Sequence, residues 1–327
     1  MIDNNMDYFN ELLEELDDNM ILITGATGGL GRNLVKTLVA DGTKIRVYVR
    51  DAQKAQQMLR GNIEIVQGDL SDQKALKKAM TGINLIYHCA ANTSLTAPYQ
   101  VMHRDNVIGT KNVIEAAAGR KVICVSSTAV YSRSLENPIT EDSPCSPPES
   151  YVYGRTKAEA DKLALKMGAI VIRSTYIYGA NMQGLGIFQL LKMVEKGIMP
   201  IVGKGWNRLH YTHVSDVVQG LIRTGEKGKA GEAYNIAGPE YVSQKEFLTL
   251  LAKYLKVSPP KLHVPIFAAK AIASIVVPGY LESANTVYAD RIYDITKAKK
   301  ELGYKPKIKY EVGLKEVVAA YKASISQ

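Results

Sequence analysis

The chain has 327 residues, 46% of them hydrophobic and 22% charged, with a formal net charge of +9. That is the composition of an ordinary soluble globular protein, large enough for one big core or two closely joined ones. The excess of 41 Lys and Arg over 32 Asp and Glu forms no clustered basic tract; this excludes a nucleic-acid-binding face but suits anionic ligands such as dinucleotides.

Residues 1–18 read as an acidic amphipathic helix, with Phe9, Leu12, Leu13 and Leu16 set among Asp and Glu. A secretory signal begins basic and turns apolar, so none is expected here. From Asn19, strand-like and helix-like segments alternate. Strands are predicted near 20–24, 44–49, 63–67, 84–89, 121–126 and 169–173. Helices are predicted over roughly 29–41, 52–60, 71–80, 98–118 and 151–167. Alternation of this kind implies right-handed crossovers and a doubly wound parallel sheet of the Rossmann type, an α/β fold with helices on both faces.

The first strand, Met20-Ile21-Leu22-Ile23, runs into Thr24-Gly25-Ala26-Thr27-Gly28-Gly29-Leu30-Gly31 and then a helical pattern through Leu34, Val35 and Leu38. Strand, glycine-rich turn and helix is the context a phosphate-binding fingerprint requires. The glycines permit a tight turn and let backbone approach a pyrophosphate resting on the helix N-terminus. Their spacing is Gly-x-x-Gly-x-x-Gly. The fifth strand ends in Ser126-Ser127-Thr128, and a loop holding Pro138, Pro144, Pro147 and Pro148 follows. The next helix opens with Tyr151-Val152-Tyr153-Gly154-Arg155-Thr156-Lys157. A spacing of four puts Tyr153 and Lys157 on one helix face. A cation near a phenol lowers its pKa from about 10, and a hydroxyl can share the proton in flight, so the pair suits proton transfer.

From about residue 175 the alternation becomes irregular, as in a smaller substrate-binding lobe. The expected division is an acidic extension at 1–18, a dinucleotide-binding domain at 19–174 and a mainly substrate-binding lobe at 175–327, with some segments returning to the first core. The longest apolar stretch, Ile266 to Val277, contains Lys270 and is too short to span a bilayer. Its start, Ile266 to Ala273, suits either a plain core helix or the wall of an apolar substrate site. Cys89, Cys124 and Cys145 lack metal-site spacing, so no metal is expected, and a reducing cytoplasm fits best.

The glycine loop and the Tyr-Lys pair together resemble the short-chain dehydrogenase/reductase superfamily, in particular its extended epimerase, dehydratase and reductase branch. Further matching segments are Gly68-Asp69-Leu70, His88-Cys89-Ala90-Ala91, Asn106-Val107-Ile108-Gly109-Thr110, Ser126 to Tyr131 and His213-Val214-Ser215-Asp216. The resemblance implies Ser127 as catalytic hydroxyl, favoured over Ser126 and Thr128, because it stands four residues before Tyr131. It implies Tyr153 as general acid or base, with Tyr151 the weaker candidate, and Lys157 as the residue holding the nicotinamide ribose. Gly25, Gly28 and Gly31 would take the pyrophosphate, with Thr27, Gly29 and Leu30 also binding the cofactor; Asp69 and Leu70 would contact adenine, and Ala90 and Ala91 would pass the cofactor ribose. Asn106 is read equally well as structural or functional.

NAD-binding members place an acidic residue at the end of the second strand to accept from the ribose 2′-hydroxyl. This chain has Arg50 there and Asp51 one later; an arginine favours a 2′-phosphate, with Arg32 a second candidate. NADP is therefore the expected cofactor and NAD the alternative, read by Asp51. The reaction is expected to be reduction or oxidation at a secondary alcohol or carbonyl, as in the 3β-hydroxysteroid dehydrogenase and dihydroflavonol reductase relatives. A nucleotide-sugar 4-epimerase is the alternative, and a cofactor-binding regulator without catalysis the second. Sugar-nucleotide members carry a diphosphate-binding Arg about five residues before the valine of the His-Val-x-Asp motif; Arg208 stands six before Val214. Dehydratases need an acidic pair where this chain has Thr128 and Ala129. The partner is expected to be a small-molecule substrate, with no nucleic acid and no membrane span, and a homodimer stays open.

Overall fold

A computed structural model describes residues 20–94, 96–180, 182, 186–269, 271 and 289–325. The expected N-terminal helix, and the end of the apolar segment from Ile266, lie outside the described residues. Seven parallel strands form the central sheet: β1 (Met20–Thr24), β2 (Ile45–Val49), β3 (Ile63–Gln67), β4 (Ile83–His88), β5 (Lys121–Ser127), β6 (Ile170–Ser174) and β11 (Ala233–Ile236). Their order is β11-β6-β5-β4-β1-β2-β3. The chain winds outward from β1 to β3, crosses back over β1, and winds the other way from β4. That reversal places a crevice at the carboxyl ends of β1 and β4, where ligands of open α/β sheets bind. Strands such as Met20-Ile21-Leu22-Ile23 and Ile170-Val171-Ile172 are near-continuous apolar runs because helices cover both faces of a parallel sheet.

The crossover helices are α1 (Gly29–Ala40), α2 (Ala52–Met58), α3 (Gln73–Ala79), α4 (Tyr99–His103) running through a π-helical turn at Arg104–Ile108 into α5 (Gly109–Ala117), and α6 (Val152–Lys166). Every predicted strand and helix of this half is present, with ends differing by one or two residues. Asp51 and Asp72 set two of those ends, since their carboxylates accept from the amides of Lys54 and Ala75 and so cap α2 and α3.

Two short strands, β7 (Ile177–Tyr178) and β10 (Thr212–His213), pair in parallel beyond the sheet. Around them lie α7 (Ile187–Glu195), β8 (Ile201–Val202), β9 (Arg208–Leu209), α8 (Val214–Lys227), β12 (Val242–Ser243), α9 (Gln244–Leu255), β13 (His263–Val264) and α10 (Tyr310–Ile325). Tyr178, Leu191, Phe247, Leu251, Leu314 and Val317 build a separate apolar cluster there. Helix α8 packs on α1, and β11 completes the main sheet beside β6, so part of the chain after residue 175 belongs to the first core.

Candidate active site

The turn after β1 is closed by backbone alone. Gly25 has φ +69°, and a Cβ there would lie 2.5 Å from the Ala90 amide nitrogen at the end of β4. The Gly28 amide donates to the Gly25 carbonyl at 3.0 Å, and a Cβ on Gly31 would strike that same carbonyl. Thr27, Gly29 and Leu30 complete the turn into α1, whose N-cap Gly28 offers its first-turn amides no side-chain acceptor. A cradle that tolerates no Cβ and ends on open helix amides fits a dinucleotide pyrophosphate. Arg32 lies half-buried in the first turn of α1.

At the end of β2, Arg50 is exposed and Asp51 caps α2. Across from them Asp69 binds the Ser71 amide at 2.9 Å and hydroxyl at 2.7 Å, which holds its carboxyl below the ordinary range; Arg50 and Arg104 add to this. Leu70 packs inward against the core, and Asn112 donates to its carbonyl at 2.8 Å. Ala90 borders Gly25, and Ala91 is exposed where β4 leaves the sheet.

Ser127 ends β5, and its hydroxyl accepts from the Ala129 amide at 3.1 Å, turning the chain into a short 3₁₀ segment, Thr128–Val130. Helix α6 brings Tyr153 to it, and the Ser127 hydroxyl hydrogen-bonds the phenol. Gly154 makes this approach feasible, because a Cβ there would lie 2.7 Å from the Ala129 carbonyl and would collide with the Tyr151 ring. Tyr151 itself is buried, edge-on to Tyr153 at 6.1 Å. Thr128 and Ala129 are buried too.

Burial, then Tyr151, pushes the Tyr153 phenol well above its ordinary 10, and the neighbouring Ser127 hydroxyl opposes this. Lys157 is buried, and its ammonium donates to the Val125 carbonyl of β5 at 2.7 Å. Burial lowers the Lys157 pKa in turn.

Asn106 lies in the π-helical turn, a frequent companion of functional sites. Its Oδ1 accepts from the Asn92 amide at 2.7 Å; its Nδ2 donates to the Asn92 carbonyl at 3.0 Å and the Thr156 hydroxyl at 3.1 Å. Thr156 donates to the Tyr153 carbonyl at 3.1 Å. Gly154 and Thr156 escaped the sequence reading, although both lie inside the Tyr-Lys segment and carry a spacing signal: a small or hydroxyl residue on the face turned toward the sheet.

Arg208 stands apart on β9. Its guanidinium is bidentate to Asp290 at 2.8 and 2.6 Å, its amide donates to the same carboxylate at 2.7 Å, and the Tyr241 ring lies beneath it at 5.5 Å. Among the described residues it shares no hydrogen bond with Ser127, Tyr153 or Lys157. No group of three or more potential metal ligands occurs among the described residues, and no helix there is long and apolar enough to cross a membrane.

The NAD dependent epimerase/dehydratase family model matches residues 21–237. The chain belongs to that family. It is 29% identical over 318 residues to the 4-hydroxy-2-methyl-3-oxo-4-farnesyl-3,4-dihydroquinoline-1-oxide ketoreductase of Stigmatella aurantiaca, covering 89% of this chain and 93% of the relative. It is 26% identical over 347 residues to human sterol-4-alpha-carboxylate 3-dehydrogenase, decarboxylating, covering 96% and 92%. The crystal structure of gox2253 superimposes with a TM-score of 0.78 at 28% identity, over 94% of this chain and 98% of that one. As an extended short-chain dehydrogenase/reductase, this family member keeps the Rossmann-like parallel sheet.

Proposed function

We propose that this chain is an NAD(P)-dependent oxidoreductase that interconverts a secondary alcohol and a carbonyl on a largely apolar small molecule. The observation that carries the reading is the close approach of helix α6 at Gly154 to the turn after β5, which sets Tyr153 beside Ser127 at the carboxyl end of the sheet that also carries the Gly25 cradle. Hydride donation or acceptance is the chemistry of the nicotinamide. The chain itself supplies the proton and the alignment. Tyr153, kept protonated by burial, gives its proton to the carbonyl oxygen in reduction and takes one back in oxidation. Ser127 orients the same oxygen, and Lys157 would hold the ribose that passes Ala90 and Ala91. Asp69 and Leu70 would border the adenine.

NADP is favoured over NAD because the Asp51 carboxylate already caps α2, leaving the exposed Arg50 to meet a 2′-phosphate. Arg32 is the second candidate. Oxidoreduction is favoured over epimerisation because Arg208 is neutralised by Asp290, and because the similar proteins include a ketoreductase and a sterol dehydrogenase. Thr128 and Ala129 leave no acidic pair for dehydration. The test is to supply purified protein with NADPH or NADH and screen carbonyl compounds against UDP-sugars. Cofactor consumption by a carbonyl is the expected result; sugar inversion without net cofactor turnover would replace this reading with an epimerase.

A further inference from the structure

His88 takes no part in the proton transfer just described, yet it is buried beneath the site with both ring nitrogens hydrogen-bonded. It closes β4 directly opposite Thr24 of β1 and is only 2% exposed. Its Nδ1 lies 2.7 Å from the Thr24 hydroxyl and its Nε2 lies 3.0 Å from the Thr110 hydroxyl. Thr110 has a single hydroxyl proton and donates it to the Asn106 carbonyl at 2.6 Å. It must therefore accept from His88, so Nε2 carries the ring proton and Nδ1 accepts from Thr24. Burial, and after it the Lys157 charge, push the ring pKa down to about 3, and this donor-acceptor polarity persists at every working pH.

From Thr110 the connection runs through Asn106 to Asn92 and Thr156, and from Thr156 to the Tyr153 carbonyl. The other end is Thr24, the residue before Gly25. A polar ring buried only to fill space would be worse than a phenyl ring there, since its nitrogens lose water. We propose that His88 is a positioning residue for both halves of the site. Through Nδ1 it fixes the end of β1 that carries the phosphate cradle; through Nε2 it fixes the Asn106 clamp that sets the Tyr153 helix. The inference rests on the dinucleotide reading for its functional meaning, and on the hydrogen bonds alone for its geometry.

The carboxamide oxygen of asparagine stands near the place of Nδ1, and the amide nitrogen of glutamine near that of Nε2. His88→Asn should keep the Thr24 bond and lose the Thr110 bond; His88→Gln should do the reverse. Two readouts separate them: the NADPH dissociation constant by nicotinamide fluorescence, and hydrogen exchange at the Asn92 amide. His88→Asn should leave NADPH affinity within about twofold and speed Asn92 exchange about tenfold, the factor of one neutral hydrogen bond. His88→Gln should weaken NADPH about tenfold and leave Asn92 exchange unchanged. Thr24→Val and Thr110→Val each remove one hydroxyl at nearly constant shape, should repeat the glutamine and asparagine patterns respectively, and stand in for a histidine variant that does not fold. Both readouts moving in parallel in the two variants, or neither moving, overturns the proposal. If the unmutated protein binds neither NADPH nor NADH, the dinucleotide reading fails, while Asn92 exchange still decides whether His88 holds the clamp.

Discussion

The Tyr153 phenol takes its protonation state from where it lies. Burial holds its proton on, so the phenol is in the protonated form that reduction of a carbonyl needs, though as a weaker acid than free tyrosine. Tyr153→Phe removes only the oxygen and leaves the ring packed against Tyr151, so folding and NADPH binding should persist. Turnover should fall by the ~10²–10⁴-fold typical of a lost general acid; near-normal turnover in this variant, with loss in Tyr151→Phe, would shift the role to Tyr151. Arg50 offers a second single-residue test. NADPH should bind tighter than NADH, and Arg50→Ala should erase most of the difference, since a charge-assisted hydrogen bond contributes roughly 1.5–3 kcal/mol. Equal affinities in the unmutated protein, measured by isothermal titration, would return the ribose to Asp51 and require α2 to give up its cap.

At the scale of elements, the site depends on how closely helix α6 approaches the turn after β5. Gly154 sets that separation. Gly154→Ala would press a methyl group into the Tyr151 ring and the Ala129 carbonyl, and overpacking of this kind costs typically ~1–3 kcal/mol. The helix should move outward, so turnover should drop although Ser127, Tyr153 and Lys157 are all present. Thermal unfolding together with NADPH titration checks this, with a lower Tm and nearly unchanged cofactor affinity as the expected pair. Elements of this kind were plain in the sequence. Apolar runs of five residues between amphipathic segments marked β1 to β6 and α1 to α6, because a sheet buried on both faces leaves little choice of residue. The register of Tyr153 and Lys157 was equally legible, being a matter of helical period. What spacing could not convey is depth. It put Lys157 on the same face as Tyr153, whereas the fold sinks the ammonium onto the Val125 carbonyl. Likewise, Arg208 looked like a cation awaiting a diphosphate, and only the folded chain brings Asp290, eighty-two positions away, onto it.

For the whole molecule, buried histidines make stability depend on pH. His88 has a folded pKa of about 3 against an ordinary 6.5. Between those values the unfolded chain takes up a proton that the folded one refuses, so the stability due to the neutral ring is fully present above about 6.5 and is lost as pH falls through the window. One such proton corresponds to ~1.4 kcal/mol per pH unit, or about 2 kcal/mol between pH 6.5 and 5. His210 and His213, also lowered by burial, add to the slope. In urea titrations at about pH 7 and pH 5, His88→Gln should lose less stability on acidification than the unmutated protein does. An identical loss would mean that the His88 ring takes up its proton without unfolding.

The seventh strand bears on how the molecule comes into being. β6 is buried along its whole length, and the neighbour that covers its outer edge is β11, which leaves the ribosome some sixty residues later. Until Ala233–Ile236 emerges, a nascent chain carries a bare apolar edge of Ile170-Val171-Ile172, the kind of template that recruits other strands. A fragment ending at residue 174 should therefore associate when expressed alone, and one ending near residue 240 should not; light scattering of the two would tell them apart. Synthesis order thus makes the first six strands of the sheet wait for a strand encoded well past residue 174, so a cut there would not leave a complete sheet.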